Sequence, residues 1–462
     1  MNDKWTVKKL FEEICRIEVE YKLFEKKIDG VYVWKLIRFY LFLELSKKLN
    51  LLDDPHPSQK QNTNRYMELI KHFINGTFNG PLTYSSDSEI ILFSHPRKVR
   101  TEDSKLIDIY SYYLQDKWKE EGTSYLVMEN PYNGVFMRKA SRMVRHNESL
   151  SLFTLWNYFK PKKNTDFSIN GLDNIANIPI ETIETLSKEN ISRVMHAFKR
   201  EYHYYTKILT KHKPKKIYMV VGYFRHALIA VADDLGIETI EIQHGEISPY
   251  NTGYNYPGHA KIPYFPVRLI LWGEFWYNPS RMPMDEKNIS YDGYPFLERE
   301  IKKYSNVVRD DSRVLFLSQG KIGKSLVEIA LEFASKNEEY KVIYRLHPSE
   351  AEEWKNLYPK LYDFSMENKN IVIETAKSNP LHKSFAESKF VVGVNSTALI
   401  ESLTLNCKLI LVDLPGVEYF QSLIDKKLVK KVKNAEQLAK VLKEDNEHTI
   451  INRDYFFKEH KE

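Results

Sequence analysis

Short apolar runs alternate with amphipathic segments along the second half of the chain. The apolar runs have the length of strands and are VLFL (314–317), KVIYRL (341–346), NIVIE (370–374), FVVGV (390–394) and KLILVDL (408–414). Between them, apolar residues recur at helical spacing, as in 325–335, 398–405 and 434–444. Strands that are apolar throughout and separated by helices are typical of a parallel sheet covered on both faces. This half is therefore predicted to be a doubly wound, Rossmann-like domain.

The first half shows the same alternation less regularly. Its predicted strands are 88–94, 123–129, 215–222 and 238–243, with a helix at 224–236. Residues before about 85 follow helical patterns, and proline, methionine and charge replace the periodicity at 278–288. The fold class is predicted to be α/β, with two Rossmann-like domains facing a central cleft. The predicted parts are a helical extension (1–85), an N-terminal domain (86–285) and a C-terminal domain (286–462).

Composition narrows the functional classes. The chain has 462 residues, of which 42% are hydrophobic, so neither a disordered nor a fibrous architecture fits. A net charge of 68 − 62 = +6 is too small to indicate nucleic-acid binding. Cys15 and Cys407 lie far apart, which argues against a disulfide framework and a cysteine-based zinc site. The charged N-terminus has no apolar run of signal-peptide type, so a cytoplasmic location is expected.

The most apolar early stretch, VYVWKLIRFYLFLEL, is interrupted by Lys35, Arg38 and Glu44. It is too short and too charged to span a bilayer. Two alternatives remain open: a buried core helix, or a helix lying at the inner face of the cytoplasmic membrane with Lys35 and Arg38 reaching the headgroups. Peripheral membrane contact is therefore an expectation of the sequence.

Candidate chemistry is sought at strand ends, because ligands of open α/β sheets bind there. Gln243, His244, Gly245 and Glu246 follow the strand at 238–243. The glycine permits a sharp turn, and an imidazole at a cleft edge can accept or donate a proton near neutral pH. Glu246 is the alternative base if His244 only orients it. A structural histidine is the other interpretation of His244.

Two further motifs predict a site for one phosphate in the second domain. Arg345, Leu346, His347 and Pro348 end one strand, and Pro348 is predicted to begin a helix whose amides face an anion. Asn395, Ser396 and Thr397 end another strand and open a helix, in which Glu401 is placed to bind ribose hydroxyls. A well-made helix start explains either motif without a ligand.

The loop Ser318-Gln319-Gly320 precedes Gly323-Lys324-Ser325, the end of a P-loop pattern. Ser318 stands where the first glycine of a P-loop belongs, so a nucleotide triphosphatase is disfavoured. The two glycines instead let the backbone approach a nucleotide. In the first domain, His95 and Arg97 follow a strand and are candidates to meet an anionic acceptor, with capping as the alternative. Aromatic residues at 250–265, among them Tyr250, are either a wall for sugar rings or core packing.

The order Q-H-G, S-Q-G, H-P and N-S-T at successive strand ends resembles the GT-B glycosyltransferases of bacterial capsule and surface-glycan assembly. The resemblance is closest to sialyl-, polysialyl- and Kdo-transferases, and it covers about 215–415. It implies a donor that is a CMP-activated acidic 2-keto sugar and an acceptor that is a glycan or lipid-linked glycan. By similarity, His347 contacts the donor phosphate, Ser396 and Thr397 bind it, and the residues around His244 bind the acceptor and supply the base.

The sequence departs from the polysialyltransferase pattern, because Gln243-His244-Gly245 replaces a paired acid before glycine. The base therefore stays open between His244 and Glu246, with Gln243 on the acceptor side. No D-x-D metal motif is present, and neither a metal nor another cofactor is expected. Transfer of glycerol or ribitol phosphate from a CDP-alditol, as in the related teichoic-acid enzymes, is the alternative reaction. A non-catalytic glycan-binding protein is the third interpretation.

Overall fold

The computed structural model describes residues 5–49, 51, 74–84, 87–96, 98–101, 104–132, 135–147, 183–320, 322–444 and 451–460. The predicted α/β fold class is confirmed within these residues. Two parallel sheets, each with helices, form two Rossmann-like parts. Arg97, a candidate acceptor ligand, lies outside the described residues.

The first sheet has seven parallel strands in the order β5-β4-β1-β6-β7-β8-β9. Its strands are β1 Ile90–Phe93, β4 Tyr125–Glu129, β5 Val144–His146, β6 Lys216–Val220, β7 Glu238–Ile242, β8 Arg268–Leu271 and β9 Ile289–Tyr291. The central strands are apolar and buried, as a sheet covered on both faces requires. A separate antiparallel pair joins β2 Val99–Arg100 to β3 Leu106–Ile107.

The second sheet has six parallel strands in the order β12-β11-β10-β13-β14-β15. Its strands are β10 Asp310–Leu317, β11 Lys341–Arg345, β12 Ile371–Glu374, β13 Ser388–Gly393, β14 Lys408–Val412 and β15 Lys430–Val432. Counted along the chain, both sheets begin in the middle, run to one edge and then return to build the other side. This is the strand order of doubly wound nucleotide-binding domains.

Helices cover the sheets and extend the first of them. In chain order they are α1 Val7–Glu20, α2 Val33–Lys48, α3 Tyr112–Glu120, α4 Lys188–His212, α5 His226–Asp234, α6 Pro295–Lys303, α7 Gly323–Lys336, α8 Trp354–Leu357, α9 Pro359–Glu367, α10 Leu381–Glu387, α11 Thr397–Leu403, α12 Gln421–Asp425, α13 Ala435–Lys443 and α14 Arg453–Phe456. A helical segment also occupies 74–79. None of the helices in the described part of the chain has both the length and the apolarity needed to cross a bilayer.

Most apolar residues of α2 lie in the core of the first part, as the core-helix alternative predicts. Trp34, Ile37, Leu41 and Leu45 are all almost fully buried. Lys35 and Arg38 are buried as well, so neither side chain reaches a headgroup. Lys35 and Arg38, which interrupt the apolar stretch in the sequence, therefore lie inside the protein as polar residues of a core helix.

The first sheet continues beyond the boundary predicted at 285/286, because β9 pairs with β8. The end of the described chain also returns to this sheet. The Lys458 amide donates to the carbonyl of Trp272, and Trp276 Nε1 donates to the carbonyl of Phe456, both at 2.7 Å. Residues 451–460 therefore pack against the first sheet, although they follow the second sheet in sequence.

A buried histidine joins α6 to the second sheet. His382 Nε2 lies 2.9 Å from Glu401 Oε2, and His382 Nδ1 lies 3.6 Å from Glu300 Oε2. Burial alone would lower the pKa of His382, but hydrogen bonds and charge from the two carboxylates outweigh burial and raise it to about 9. The imidazolium form is therefore the folded-state partner of both carboxylates.

We expect this contact to stabilise the fold at pH 6 and to be lost as the pH rises through about 9. The folded-state pKa lies above the unfolded value of about 6.5, so the folded state holds a proton that the unfolded state releases. Urea unfolding at pH 6, 7.5 and 9.5 should show that the free energy of unfolding of the wild-type chain falls by about 3 kcal/mol from the lowest pH to the highest. The His382→Gln variant should lack that part of the loss. An identical pH dependence in both proteins would contradict the assignment.

Candidate active site between the two sheets

The strand order reverses once in each sheet, and ligands of such sheets bind outside the carboxyl ends of the strands at that point. The reversal lies between β1 and β6 in the first sheet and between β10 and β13 in the second. The loops that follow these four strands carry His95, Tyr223, Gln319 and Asn395. Topology alone therefore selects these loops as the candidate site.

Two histidines stand together on the first-sheet side. The rings of His95, after β1, and His244, after β7, are stacked with centroids 6.5 Å apart and planes at 22°. Tyr110 contacts both rings, at 5.2 Å from His95 and 6.3 Å from His244. The structure thus brings together two of the residues that the sequence selected at separate strand ends.

His244 and Glu246 differ in basicity. Burial, followed by the nearby His95, lowers the pKa of His244 to about 4, so its imidazole is neutral at pH 7. His244 Nδ1 is buried and has no hydrogen-bond partner among the described residues. Burial raises the pKa of Glu246, and hydrogen bonding to Ser248 opposes that rise. Burial therefore weakens His244 as a base and strengthens Glu246 as one, because base strength follows pKa.

Three loops meet on the second-sheet side. The backbone amide of Asn395 donates to Gln319 Oε1 at 3.3 Å, which ties the ends of β10 and β13 together. A Cβ atom on Gly320 would lie 3.4 Å from Ser349 Oγ, so the loop after β10 also approaches the loop after β11. Ser396 precedes α11, and its hydroxyl makes no capping hydrogen bond to that helix. These loops bring hydroxyl, amide and imidazole groups to one edge.

A hydrogen bond joins the two sides. The backbone amide of Glu246 donates to Thr397 Oγ1 at 3.0 Å. A Cβ atom on Gly245 would lie 3.7 Å from the same oxygen. The Q-H-G loop of the first sheet therefore lies directly against the N-S-T loop of the second. Glu246 and Thr397, selected at strand ends of different sheets, are therefore direct neighbours.

The residues after β11 do not form the predicted helix. Residues 348–353 make turns, and α8 begins only at Trp354. The backbone amide of His347 donates to Glu350 Oε2 at 2.8 Å, so Pro348 presents no helix start to an anion. What the turn does present is the exposed His347 imidazole, with Nδ1 2.7 Å from Ser349 Oγ.

Three predicted nucleotide ligands have hydrogen-bond or salt-bridge partners within the second part. Arg345 is buried, pairs with Glu374 at 3.3 Å and donates to the carbonyl of Asn379 at 2.9 Å. Ser318 is buried, and its hydroxyl donates to Glu350 Oε1 at 3.0 Å. Glu401 accepts from His382 and is not directed at a ribose. All three side chains serve the packing beneath the site.

Two predicted acceptor ligands are also structural. Gln243 is buried, donates from Nε2 to the carbonyl of Gly245 at 2.8 Å and accepts from the Trp272 amide at 2.8 Å. It holds the shape of the loop that carries His244. Tyr250 is buried against Phe11, with ring centroids 5.8 Å apart. The other tyrosines and the phenylalanine of 250–265 are also buried, so this segment is core packing and not a sugar-binding wall.

Sequence reasoning missed Tyr223, whose ring centroid lies 5.9 Å from that of His244. A Cβ atom on Gly253 would approach the Tyr223 ring to 2.8 Å, so the absence of a side chain at Gly253 lets the ring lie there. Tyr223 follows the predicted strand at 215–222. Applying the strand-end criterion to β6 as well would have found it. Ser349 and Tyr110 carried no comparable sequence signal.

Comparison with known proteins gives distant likenesses only. No protein-family model matches the chain, and no curated protein matches it. Among solved structures, the UDP-GlcNAc 2-epimerase of Methanocaldococcus jannaschii is 15% identical, with 80% of this chain and 95% of that chain covered and a TM-score of 0.46. The UDP-GlcNAc 2-epimerase of Neisseria meningitidis bound to UDP-GlcNAc is 12% identical, with 77% and 91% covered and a TM-score of 0.44.

A wall teichoic acid polymerase structure with CDPG is 12% identical, with 83% of this chain and 88% of that chain covered and a TM-score of 0.39. All three TM-scores lie below 0.5, so neither the reaction nor the ligand of this chain is inferred from them. The fold rests on the strand order of the chain itself.

Proposed function

We propose that this chain is a glycosyltransferase that transfers a CMP-activated acidic 2-keto sugar to a hydroxyl of a glycan or lipid-linked glycan. One observation carries the proposal: the loop with His244 and Glu246 is joined to Thr397 across the cleft. This contact supports a site in which a base for an acceptor hydroxyl acts next to ligands for a leaving phosphate. Transfer between a hydroxyl and a phosphate-activated carbon needs this pair of functions.

In the proposed reaction, the acceptor oxygen bonds to the anomeric carbon of the sugar as that carbon's bond to the CMP phosphate breaks. The acceptor proton goes to the Glu246 carboxylate, while neutral His244 hydrogen-bonds the acceptor. CMP leaves with the electron pair of the broken bond. The His347 imidazole, Ser349, Ser396 and the backbone around Asn395 surround the leaving phosphate and stabilise its charge.

We propose that this chemistry needs no divalent metal, because hydroxyl, imidazole and backbone groups suffice for one phosphate. Among the described residues, no group of three or more His, Cys, Asp or Glu is arranged as metal ligands. Metal independence stays a prediction, and the test below includes EDTA. The acceptor is proposed to bind the first sheet and the nucleotide the second.

Thermal shift with CMP, CDP, UMP, UDP, GDP and ATP, each with magnesium or with EDTA, tests the donor. A ligand that binds only the folded state stabilises it and so raises the melting temperature. At a ligand concentration of a hundred times Kd, the free energy of unfolding increases by about 2.7 kcal/mol. We expect CMP to give the largest shift, unchanged by EDTA. Ser349→Ala should reduce the shift, and Ser335→Ala, an exposed hydroxyl at the end of α7, should not.

Other outcomes of the same panel separate the alternatives. A preference for CDP would favour an alditol-phosphate donor, and a preference for UDP would favour a different nucleotide sugar. The absence of a shift with every nucleotide would contradict the proposed donor site and favour a non-catalytic glycan-binding protein.

A further inference from the structure

A continuous series of aromatic rings leads from His244 to the protein surface. We call Tyr223, Phe39, Phe224 and Tyr40 the aromatic row. Tyr223 lies 5.9 Å from His244, Phe39 lies 5.6 Å from Tyr223 in a stacked geometry, and Phe224 lies 5.1 Å from Phe39. Tyr40 closes the row, 6.2 Å from Phe224. All four distances join ring centroids.

The outer end of the row is exposed. Tyr40 and Phe224 leave 49% and 45% of their surface in solvent, whereas the aromatic residues of 250–265 are buried. Exposed rings that continue a functional cleft indicate a binding surface more strongly than isolated exposed rings do.

Backbone geometry holds the row in place. Tyr223 and Phe224 sit in the turn after β6, which starts at Val221 with φ +66°. A β-branched residue rarely adopts this left-handed conformation, and such strain persists only where the surrounding structure enforces it. Phe39 and Tyr40 project from α2, whose opposite face is anchored in the core. The rings are therefore presented by a fixed turn and a rigid helix.

Polar groups accompany the rings. Glu201 interacts electrostatically with Tyr40 on one side and with Arg200 and Arg225 on the other. Arg200 Nε and Arg225 Nε are buried and have no hydrogen-bond partner among the described residues. The Arg225 guanidinium hydrogen-bonds Tyr205 and lies over the buried Phe93 ring, so Glu201 is the polar group that accompanies the exposed rings. Aromatic faces beside hydrogen-bonding groups suit a pyranose ring, which has apolar C–H faces and an equator of hydroxyls.

We propose that the aromatic row is a binding site for an extended acceptor glycan, with sugar rings on Phe224 and Tyr40 and the reacting hydroxyl at His244. The inference rests on the proposed function and narrows it, because a row that reaches the surface suits an oligosaccharide chain and exceeds what a single sugar needs. A hydrocarbon chain would not use the carboxylate of Glu201 beside Tyr40.

Binding of the full chain to a printed array of capsule and lipopolysaccharide oligosaccharides tests the proposal. We expect the wild type to bind at least one oligosaccharide and the Tyr40→Ala/Phe224→Ala variant to bind it at least about tenfold more weakly, since each ring contributes a stacking contact. Phe78→Ala, which removes an exposed ring elsewhere in the same part, is the matched control and should bind as the wild type does. Absence of wild-type binding, or equal binding by the double variant, would overturn the proposal.

A second variant separates sugar from lipid and guards against misfolding. Tyr40→Leu/Phe224→Leu keeps apolar volume but removes the aromatic faces. It should lose glycan binding as the alanine variant does. Cosedimentation with phosphatidylglycerol/phosphatidylethanolamine vesicles provides the lipid comparison. A lipid role would appear as vesicle binding that the leucine variant retains and the alanine variant loses, while both variants still bind glycan. That result would overturn the proposal.

Failure of this inference is distinguishable from failure of the proposed function. The CMP-induced thermal shift depends on the second sheet, so it should be unchanged in both double variants. Glycan binding that needs the row without any nucleotide shift would support the row and contradict the transferase. A CMP-induced thermal shift, combined with glycan binding that is equal in the wild type and the double variants, would support the transferase and contradict the role of the aromatic row.

Discussion

Replacing Glu246 with glutamine is expected to lower the rate of sugar transfer by about 10²–10⁴-fold. Glutamine keeps the size of the side chain but cannot accept the acceptor proton. The backbone amide that bonds to Thr397 is unaffected by the substitution, so the two loops should stay joined. The measurement is kcat/KM for transfer, combined with the CMP-induced thermal shift, which should be unchanged.

The pH dependence of the same reaction identifies the base. Because burial raises the pKa of Glu246, the wild-type kcat/KM should increase with pH through a pKa above the usual value for glutamate. That increase should disappear in Glu246→Gln. Glu238→Gln, at the opposite end of β7 from the cleft, is the matched control. If kcat/KM still rose with pH in Glu246→Gln but no longer did so in His244→Asn, the base would be His244.

Replacing Arg38 with methionine is expected to lower the free energy of unfolding by about 3–5 kcal/mol, because it leaves a buried carboxylate without its partner. Arg38 Nε lies 2.5 Å from Glu18 Oε1, and both side chains are almost completely buried. Arg38 also donates to the carbonyl of Thr252 at 2.5 Å. The pair thus fastens α1 and α2 to the segment after the Q-H-G loop. Urea unfolding measures the effect.

Two variants make this prediction specific. Arg16→Met removes exposed salt bridges to Glu13 and Glu20 on α1 and should leave the free energy of unfolding nearly unchanged. Adding Glu18→Leu to Arg38→Met removes the unpaired charge and should restore part of the lost stability. A double variant less stable than Arg38→Met alone would show that the cost does not come from an uncompensated charge.

The interior of both sheets was predictable from sequence because buried parallel strands are apolar throughout. Strands β1, β4, β6, β7, β11, β12 and β14 fall within predicted runs, and β10 and β13 begin before the runs that predict them. The missed strands β5, β9 and β15 are three residues long and only partly buried, so they leave no periodic signal. Strand β8 was also missed, although three of its four residues are buried. The return of residues 451–460 to the first sheet depends on contacts between residues distant in sequence.

The strand-end criterion located the site but did not separate ligands from supporting residues. It selected His95, His244 and Asn395, which face the cleft edges. It also selected Arg345 and Glu401, whose partners Glu374 and His382 are residues that no local motif connects to them. A side chain with a fixed internal partner looks the same in sequence as one that awaits a ligand.

Release of CMP from CMP-N-acetylneuraminic acid and from CMP-Kdo, measured in EDTA with and without a glycan acceptor, tests the central claim most directly. The proposed function predicts that the wild-type chain releases CMP from one of these donors, faster with acceptor than with water, and that Glu246→Gln is slower. Consumption of CDP-glycerol with no CMP release from either sugar donor would contradict the claim, and so would the absence of turnover with all three donors.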